Sequence, residues 1–182
     1  MAHDKKAFMT AVCVLYDTRE QKNAHILDAL AALGVPTEQR KLDYGDYSFV
    51  CGRDFSMSCV VERKASIDEI YGNLTQERGR IEKELYAASQ CAKQMTIIIE
   101  GCKDWEALKS YTVPDWQMRT QPQRVKQDIG KFVYTSLKAW KSSNRYKFDV
   151  AFCEDKTQTA AVMLEIFYYY WRNYKEMTAA RR

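Results

Sequence analysis

The chain has 182 residues and a formal net charge of +4, with 46% apolar and 29% charged residues. That length suits one domain with a real core. It contains no run of eighteen apolar residues from which a membrane-spanning helix could be built. The opening stretch "MAHDKKAFMT" lacks the apolar segment of a signal peptide, and residues 1–10 are expected to fray. Six cysteines, at 13, 51, 59, 91, 102 and 153, form no C-x-x-C pair. They read as buried free thiols in a reducing cytosol, and not as zinc ligands or disulfides. With only His3 and His25, neither a histidine base nor a histidine-held metal is expected.

In chain order, "AVCVLYD" is a short apolar run closing on an acid and predicts a buried strand. "NAHILDALAALG" has helical spacing, with Ile26, Leu27, Leu30 and Leu33 on one face and Gly34 as a C-terminal cap. "VPTEQRKL" predicts a second strand, "DYGDY" a turn eased by Gly45, and "YSFVC" and "FSMSCVVERK" two strands of a hairpin about Gly52. Ser66 and Glu69 fit a helix-capping box. A helix near 76–93 puts Ile81, Leu85, Ala88 and Ala92 on one stripe. "MTIIIEG" predicts a buried strand, Pro122 opens a helix running to about Lys141, "KFDVAFCE" predicts a strand, and Thr157 to Lys175 a final helix. The segment 109–123 has few apolar anchors. This order describes an α/β domain with a mixed central sheet flanked by helices.

Several acids fall where these elements end. Asp17 closes the first strand, with Arg19 and Glu20 behind it; Asp46 follows Gly45 in the turn; Glu62 and Lys64 end the fourth strand, with Asp68 one helical turn beyond. Strand residues alternate faces, so Glu62 and Lys64 share one face and Arg63 takes the other. If neighbouring strands end together, Asp17, Asp46 and Glu62 converge, and such carboxylates raise one another's pKa unless a cation lies among them. Hard oxygen donors suit Mg²⁺, with Mn²⁺ as a substitute. Such an ion activates water at a phosphodiester, and Lys64 can hold that water or help deprotonate it. This is the acid–turn–strand–E-x-K logic of the PD-(D/E)XK nucleases.

Four stretches carry a more specific resemblance: "DTRE" (17–20), "GDYSF" (45–49), "VERKASIDE" (61–69) and "NLTQERGRIEKEL" (73–85). In this order they resemble the XPF-type structure-specific endonuclease domain, most closely over 11–100. The resemblance implies a restriction-endonuclease-like fold with one nuclease domain at 11–176 and a tail at 177–182. It implies Asp46 and Glu62 as metal ligands, Asp17 completing the acidic cluster, and Lys64 serving the nucleophile. Arg19, Glu20, Arg63 and Asp68 would order the site or the scissile phosphate, and Arg78 or Arg80 would meet the DNA backbone. Arg63 is equally well read as a structural ion pair. The implied substrate is branched or flapped DNA, cut by metal-dependent hydrolysis, with repair and recombination as settings. Many relatives continue into a tandem helix-hairpin-helix domain, and this chain resembles the short variety of bacteria and phages. The other reading is a catalytically silent DNA-binding or scaffold subunit, although such subunits typically lose the Gly-Asp or E-R-K residues kept here.

Two further expectations concern surfaces. From Arg119 to Lys147 basic residues outnumber acids and aromatics are interleaved, so Arg124, Lys126, Lys131, Lys138 and Lys141 are candidate phosphate contacts. A solvated helix face is the alternative. The last helix, with Phe167, Tyr168, Tyr170 and Trp171, is apolar around much of its circumference and is expected to contribute to a homodimer interface.

Overall fold

The computed structural model describes residues 2–113 and 128–180. The expected start of a helix at Pro122, and with it Arg119, Arg124 and Lys126, lies outside the described residues. The elements run α1 (Ala2–Ala11), β1 (Cys13–Tyr16), α2 (Ala24–Ala32), β2 (Thr37–Gln39), β3 (Tyr47–Val50), β4 (Cys59–Lys64), α3 (Ile67–Gln76) and α4 (Arg78–Cys91). There follow β5 (Gln94–Glu100), α5 (Trp105–Lys109), α6 (Ile129–Lys141), β6 (Asp149–Cys153), a 3-10 turn (Lys156–Gln158) and α7 (Thr159–Ala179).

The strands form one sheet in the order β2-β1-β3-β4-β5-β6. β1 runs parallel to β2 and antiparallel to β3; β3 and β4 form the expected hairpin; β4, β5 and β6 are parallel. The sheet is therefore mixed, with helices on both faces. Alternation sorts the β-branched runs between two cores. Val61 and Ile98 enter one core with α1, α2 and α7, while Val60, Ile97 and Ile99 enter the other with α3, α4 and α6. Both faces of β4 and β5 are covered, which is why these strands read as unbroken apolar runs.

Local signals explain the helix ends. Gly34 follows α2 in the left-handed conformation, φ 68°. Ser66 Oγ accepts the Glu69 N–H at 3.1 Å, and Glu69 reaches back to the Ala65 N–H at 2.9 Å. Ile81, Leu85 and Ala88 form the buried stripe of α4. Among the described residues no helix is long and apolar enough to cross a membrane.

Three expectations need correction. The N-terminal stretch does not fray: α1 forms, with Phe8 fully buried. The Phe8 ring meets Tyr168 edge-on at 5.6 Å and lies 5.5 Å from Trp171. Phe8 and Val12 sit one helical turn apart, an apolar stripe too short to stand out among Asp4, Lys5 and Lys6. The aromatics of the last helix are largely taken up inside the chain: Phe167, Tyr168 and Trp171 pack on the sheet and α1 and are not free for a partner. Finally, Cys91 is exposed at the end of α4, where a buried thiol was expected.

Truncating Phe8 to Ala should cost about 3–5 kcal/mol, the usual range for a buried phenylalanine. Urea denaturation measures this directly. A variant within about 1 kcal/mol of wild type would show that α1 is an appendage and not part of the core.

Candidate active site

The site is built where β1, β3 and β4 end together. Gly45 has φ 67°, and a Cβ there would lie 2.8 Å from the Val61 carbonyl oxygen. Only glycine allows that close approach. It lets the Asp46 N–H donate to Val61 O at 2.8 Å, while the Asp46 carbonyl accepts the Asp17 N–H at 2.8 Å. The Asp46 carboxylate then accepts the Arg63 N–H at 2.8 Å. The turn is thus pinned by backbone to β4 on one side and to the end of β1 on the other, which fixes the carboxylate beside the strand ends.

Glu62 and Lys64 share the face of Val60, as alternation requires. Lys64 Nζ lies 2.9 Å from Glu62 Oε1 and 3.7 Å from Glu69 Oε1. Burial and the neighbouring Glu62 push the Asp46 carboxyl up to about 8, only partly offset by the Arg63 N–H. Burial also disfavours charge on Lys64. Glu62, Glu69 and Asp46 outweigh that and hold the amine above its usual pKa. Lys64 is therefore a charged donor at neutral pH.

The opposite face of β4 holds Arg63. Its guanidinium is buried and lies 2.9 Å from Glu20 Oε1 and 3.0 Å from Glu100 Oε2. Glu100 also accepts the Thr159 hydroxyl at 2.6 Å and lies 2.8 Å from His25 Nε2. Arg63 and Glu20 are thus partners in a buried network behind the acids, and their side chains do not reach the cleft of Asp46 and Glu62. The two carboxylates give Arg63 its ion-pair role, and Arg63 also lines an open pocket with Arg19, Glu20 and Asp68. Glu100 and Thr159 escaped the sequence reading. The closing acid of "IIIE" was the available signal, the same one that marked Asp17.

Asp17 is fully buried. Its carboxylate accepts N–H groups of Leu42 at 2.6 Å and Arg19 at 2.8 Å, and the Arg19 side chain at 2.6 Å. Burial would raise its pKa, but these hydrogen bonds bring it below the usual value. Asp17 is a tie between the end of β1 and the loop at Leu42. It is not gathered with Asp46 and Glu62, and among the described residues no group of three acidic, histidine or cysteine side chains could hold a metal. Arg19, fixed by Asp17, still exposes 69% of its side chain and lines the cleft.

That cleft, about 440 Å³, runs between the Gly45–Asp46 turn and α4. Asp46, Glu62, Lys64, Arg80 and Lys83 line it, and Arg78 does not. Arg78 instead lies 5.2 Å from the centre of the Trp140 ring and pairs with Glu82. Arg80 is held by Glu77 and Glu84 at the rim. Asp68 accepts the Tyr111 hydroxyl, away from the two acids. On α6 Lys131 is exposed, whereas Lys138 rests 4.1 Å over the Trp105 ring and Lys141 pairs with Asp149. The structure brings Asp46, Glu62, Lys64, Arg19 and Arg80 together on this cleft, and Arg19, Glu20, Arg63 and Asp68 on a second pocket that shares Arg19 with it; Asp17, Arg78, Lys131 and Lys138 line neither.

A hard divalent cation fits what remains. Two carboxylates face one opening, and burial together with the charge of Glu62 favours the protonated form of Asp46 at neutral pH. One or two carboxylates, with water and substrate phosphate, are what Mg²⁺ ordinarily takes from a protein.

A family model described as the ERCC4 domain matches residues 16–166. Among solved structures the chain is similar to XPF from Aeropyrum pernix. The TM-score is 0.60 at 22% identity, over 92% of this chain and 69% of that one. It is similar also to XPF from Aeropyrum pernix in complex with DNA, with a TM-score of 0.58 at 22% identity, over 88% of this chain and 66% of that one. No curated protein matches its sequence.

The raised Asp46 pKa sets a pH dependence. An acid whose folded pKa exceeds its unfolded value stabilises the fold below the unfolded pKa and loses that contribution as pH rises through the folded one. Without metal, wild type should therefore lose stability relative to Asp46→Asn between about pH 4 and 8. Each kcal/mol moves Tm by about 2–4 °C at this size. Parallel melting curves in EDTA across this window would show that Asp46 titrates as an ordinary carboxylate.

Proposed function

Because the chain belongs to the ERCC4 domain family, we propose that it is a Mg²⁺-dependent DNA endonuclease, with Mn²⁺ as substitute, acting on branched or flapped DNA. The observation that carries this reading is the pressing together of Asp46 and Glu62 beside Lys64, with the Asp46 carboxyl pushed up to about 8. Left alone, the pair is strained; a divalent cation held between them would relieve it and would then attract the anionic phosphodiester.

Asp46 and Glu62 would hold the ion through hard oxygens. When bound, it supplies an activated water and offsets charge on the phosphoryl oxygens. Lys64, charged and 2.9 Å from Glu62, orients that water as a hydrogen-bond donor. Arg80 and Lys83, at the rim, neutralise phosphates of the strand that crosses the acids. Arg19 is a further fixed cation on the same cleft. Asp17, Arg63, Glu20 and Glu100 hold these groups in register without touching substrate.

Asp46→Asn and Glu62→Gln should each abolish divalent-dependent cleavage of a labelled flap while leaving the fold intact. Lys64→Ala should lower the single-turnover rate by about 10²–10⁴-fold with little loss of DNA affinity. Near-normal cleavage by either carboxylate variant at limiting Mg²⁺ would sink this reading. Normal chemistry in Lys64→Ala, once DNA is bound, would reduce the lysine to a phosphate anchor.

A homodimer belongs to this reading too. With Phe167, Tyr168 and Trp171 inside the fold, one surface left on α7 is the groove it forms with α1, lined by Met9, Leu33, Val162 and Tyr169. Leu33 and Tyr169 are each about half exposed there. Sedimentation at tens of micromolar should show a dimer that Tyr169→Glu dissociates. A monomeric wild type, with and without DNA, ends the dimer proposal.

A further inference from the structure

The cleft beside the acids has two unlike walls. One is charged: Asp46, Glu62, Lys64, Arg80 and Lys83. The other is aliphatic: Ile81, Leu85 and Ala88 from one stripe of α4, with Met95 and Ile97 from β5. Tyr44 stands at the mouth, held by its hydroxyl 3.3 Å from Cys91 Sγ at the end of α4. Catalysis on a phosphodiester accounts for the charged wall alone. A phosphate backbone gains nothing from an aliphatic floor; these residues belong to the core, each at most 9% exposed, and the cleft uncovers only their edges.

A nucleotide is divided in the same way, with an anionic phosphate and a base whose flat faces are apolar. In continuous duplex those faces are stacked and paired, so they cannot enter a cleft of about 440 Å³. An unpaired or unstacked nucleotide can. We propose that this cleft takes one extruded nucleobase of the strand being cut. The base lies on the Leu85–Met95 floor, and its phosphate stays on the rim between Arg80, Lys83 and the acids. The proposal rests on reading Asp46, Glu62 and Lys64 as the active centre.

The arrangement makes the site a sensor of interrupted helix. Extrusion from intact duplex costs unstacking and unpairing, and it costs least at a mismatched, frayed or single-stranded position. Preference for branch points then arises at the cleft itself, without any further DNA-binding element. It comes from the energy of exposing a base and requires no contact to a base edge.

The test uses flap duplexes carrying 2-aminopurine singly at each position around the junction, bound in Ca²⁺ with anisotropy followed in parallel. This fluorophore brightens on leaving the base stack. Emission should rise at one position, or two adjacent ones, on binding wild type. Ala87 lines the cleft and is half-buried on α4. Ala87→Trp should fill the opening, abolish the rise and reduce the preference for flapped over continuous duplex by about tenfold, the scale of one lost base contact. Ala87→Met, smaller and helix-compatible, should do the same in lesser degree if the tryptophan variant melts early. Tight binding with no emission change at any position overturns the proposal, as does an undiminished rise in both variants. Cleavage that depends on Asp46 but shows no emission change rejects the base pocket and leaves the active centre standing. Absence of DNA binding rejects both.

Discussion

The guanidinium of Arg63 joins three separate parts of the chain. It spans Glu20 in the loop after β1 and Glu100 at the end of β5, and Glu100 in turn takes the Thr159 hydroxyl at the start of α7. Charges this deep are tolerated because each has its partner; stripping one away typically costs about 3–5 kcal/mol. The network also fixes register. A one-residue slip of β4 would bury Glu62 or Lys64 in place of Arg63 and turn every side chain of the strand to the wrong face. With Arg63 turned inward, Glu62 and Lys64 must face the cleft. The same residue's backbone N–H is spent on Asp46. One strand position therefore fixes which face of β4 carries Glu62 and Lys64 and, through its backbone, where the Asp46 carboxylate sits.

That framework supports a site which works against its own stability. Asp46 and Glu62 would be less strained apart, yet the Gly45 turn and the hydrogen bonds of Asp46 hold them side by side. Local rules broken where the surroundings over-determine the geometry are the mark of function, not of poor folding. Asp17 makes the contrast. It is a buried acid too, but three hydrogen bonds keep its carboxylate ionised, with its charge already matched by Arg19.

Much of this was legible in the chain itself. Alternation in "VVERK" separates Arg63 from Glu62 and Lys64 with no structure at all, and "GDY" placed the second acid. The capping pair at Ser66 and Glu69 and the α4 stripe followed from spacing. Asp17 misled because an acid at a strand end looks the same whether it faces a metal or the backbone of Leu42; only the partner decides, and the partner is 25 residues away. Arg78 and Arg80 could not be told apart for a similar reason. They sit two residues apart on α4, but only the packing of Trp140 shows which of them is turned from the cleft. The N-terminal helix was hidden because its apolar content is small and its partners lie in the last helix.

That last pairing has a consequence for how the chain comes to be folded. Phe8 leaves the ribosome about 160 positions before Tyr168 and Trp171, the residues that cover it. The core containing β1 and β3 cannot close until α7 has been made. Such long-range closure is slow, and through most of synthesis Phe8, Val12 and the aromatic face of β3 have no cover. The nascent chain is exposed to aggregation through the very residues that later seal it. The half behind α3, α4 and α6 closes over shorter separations, from Val60 to Phe148, and can be completed before α7 has been made.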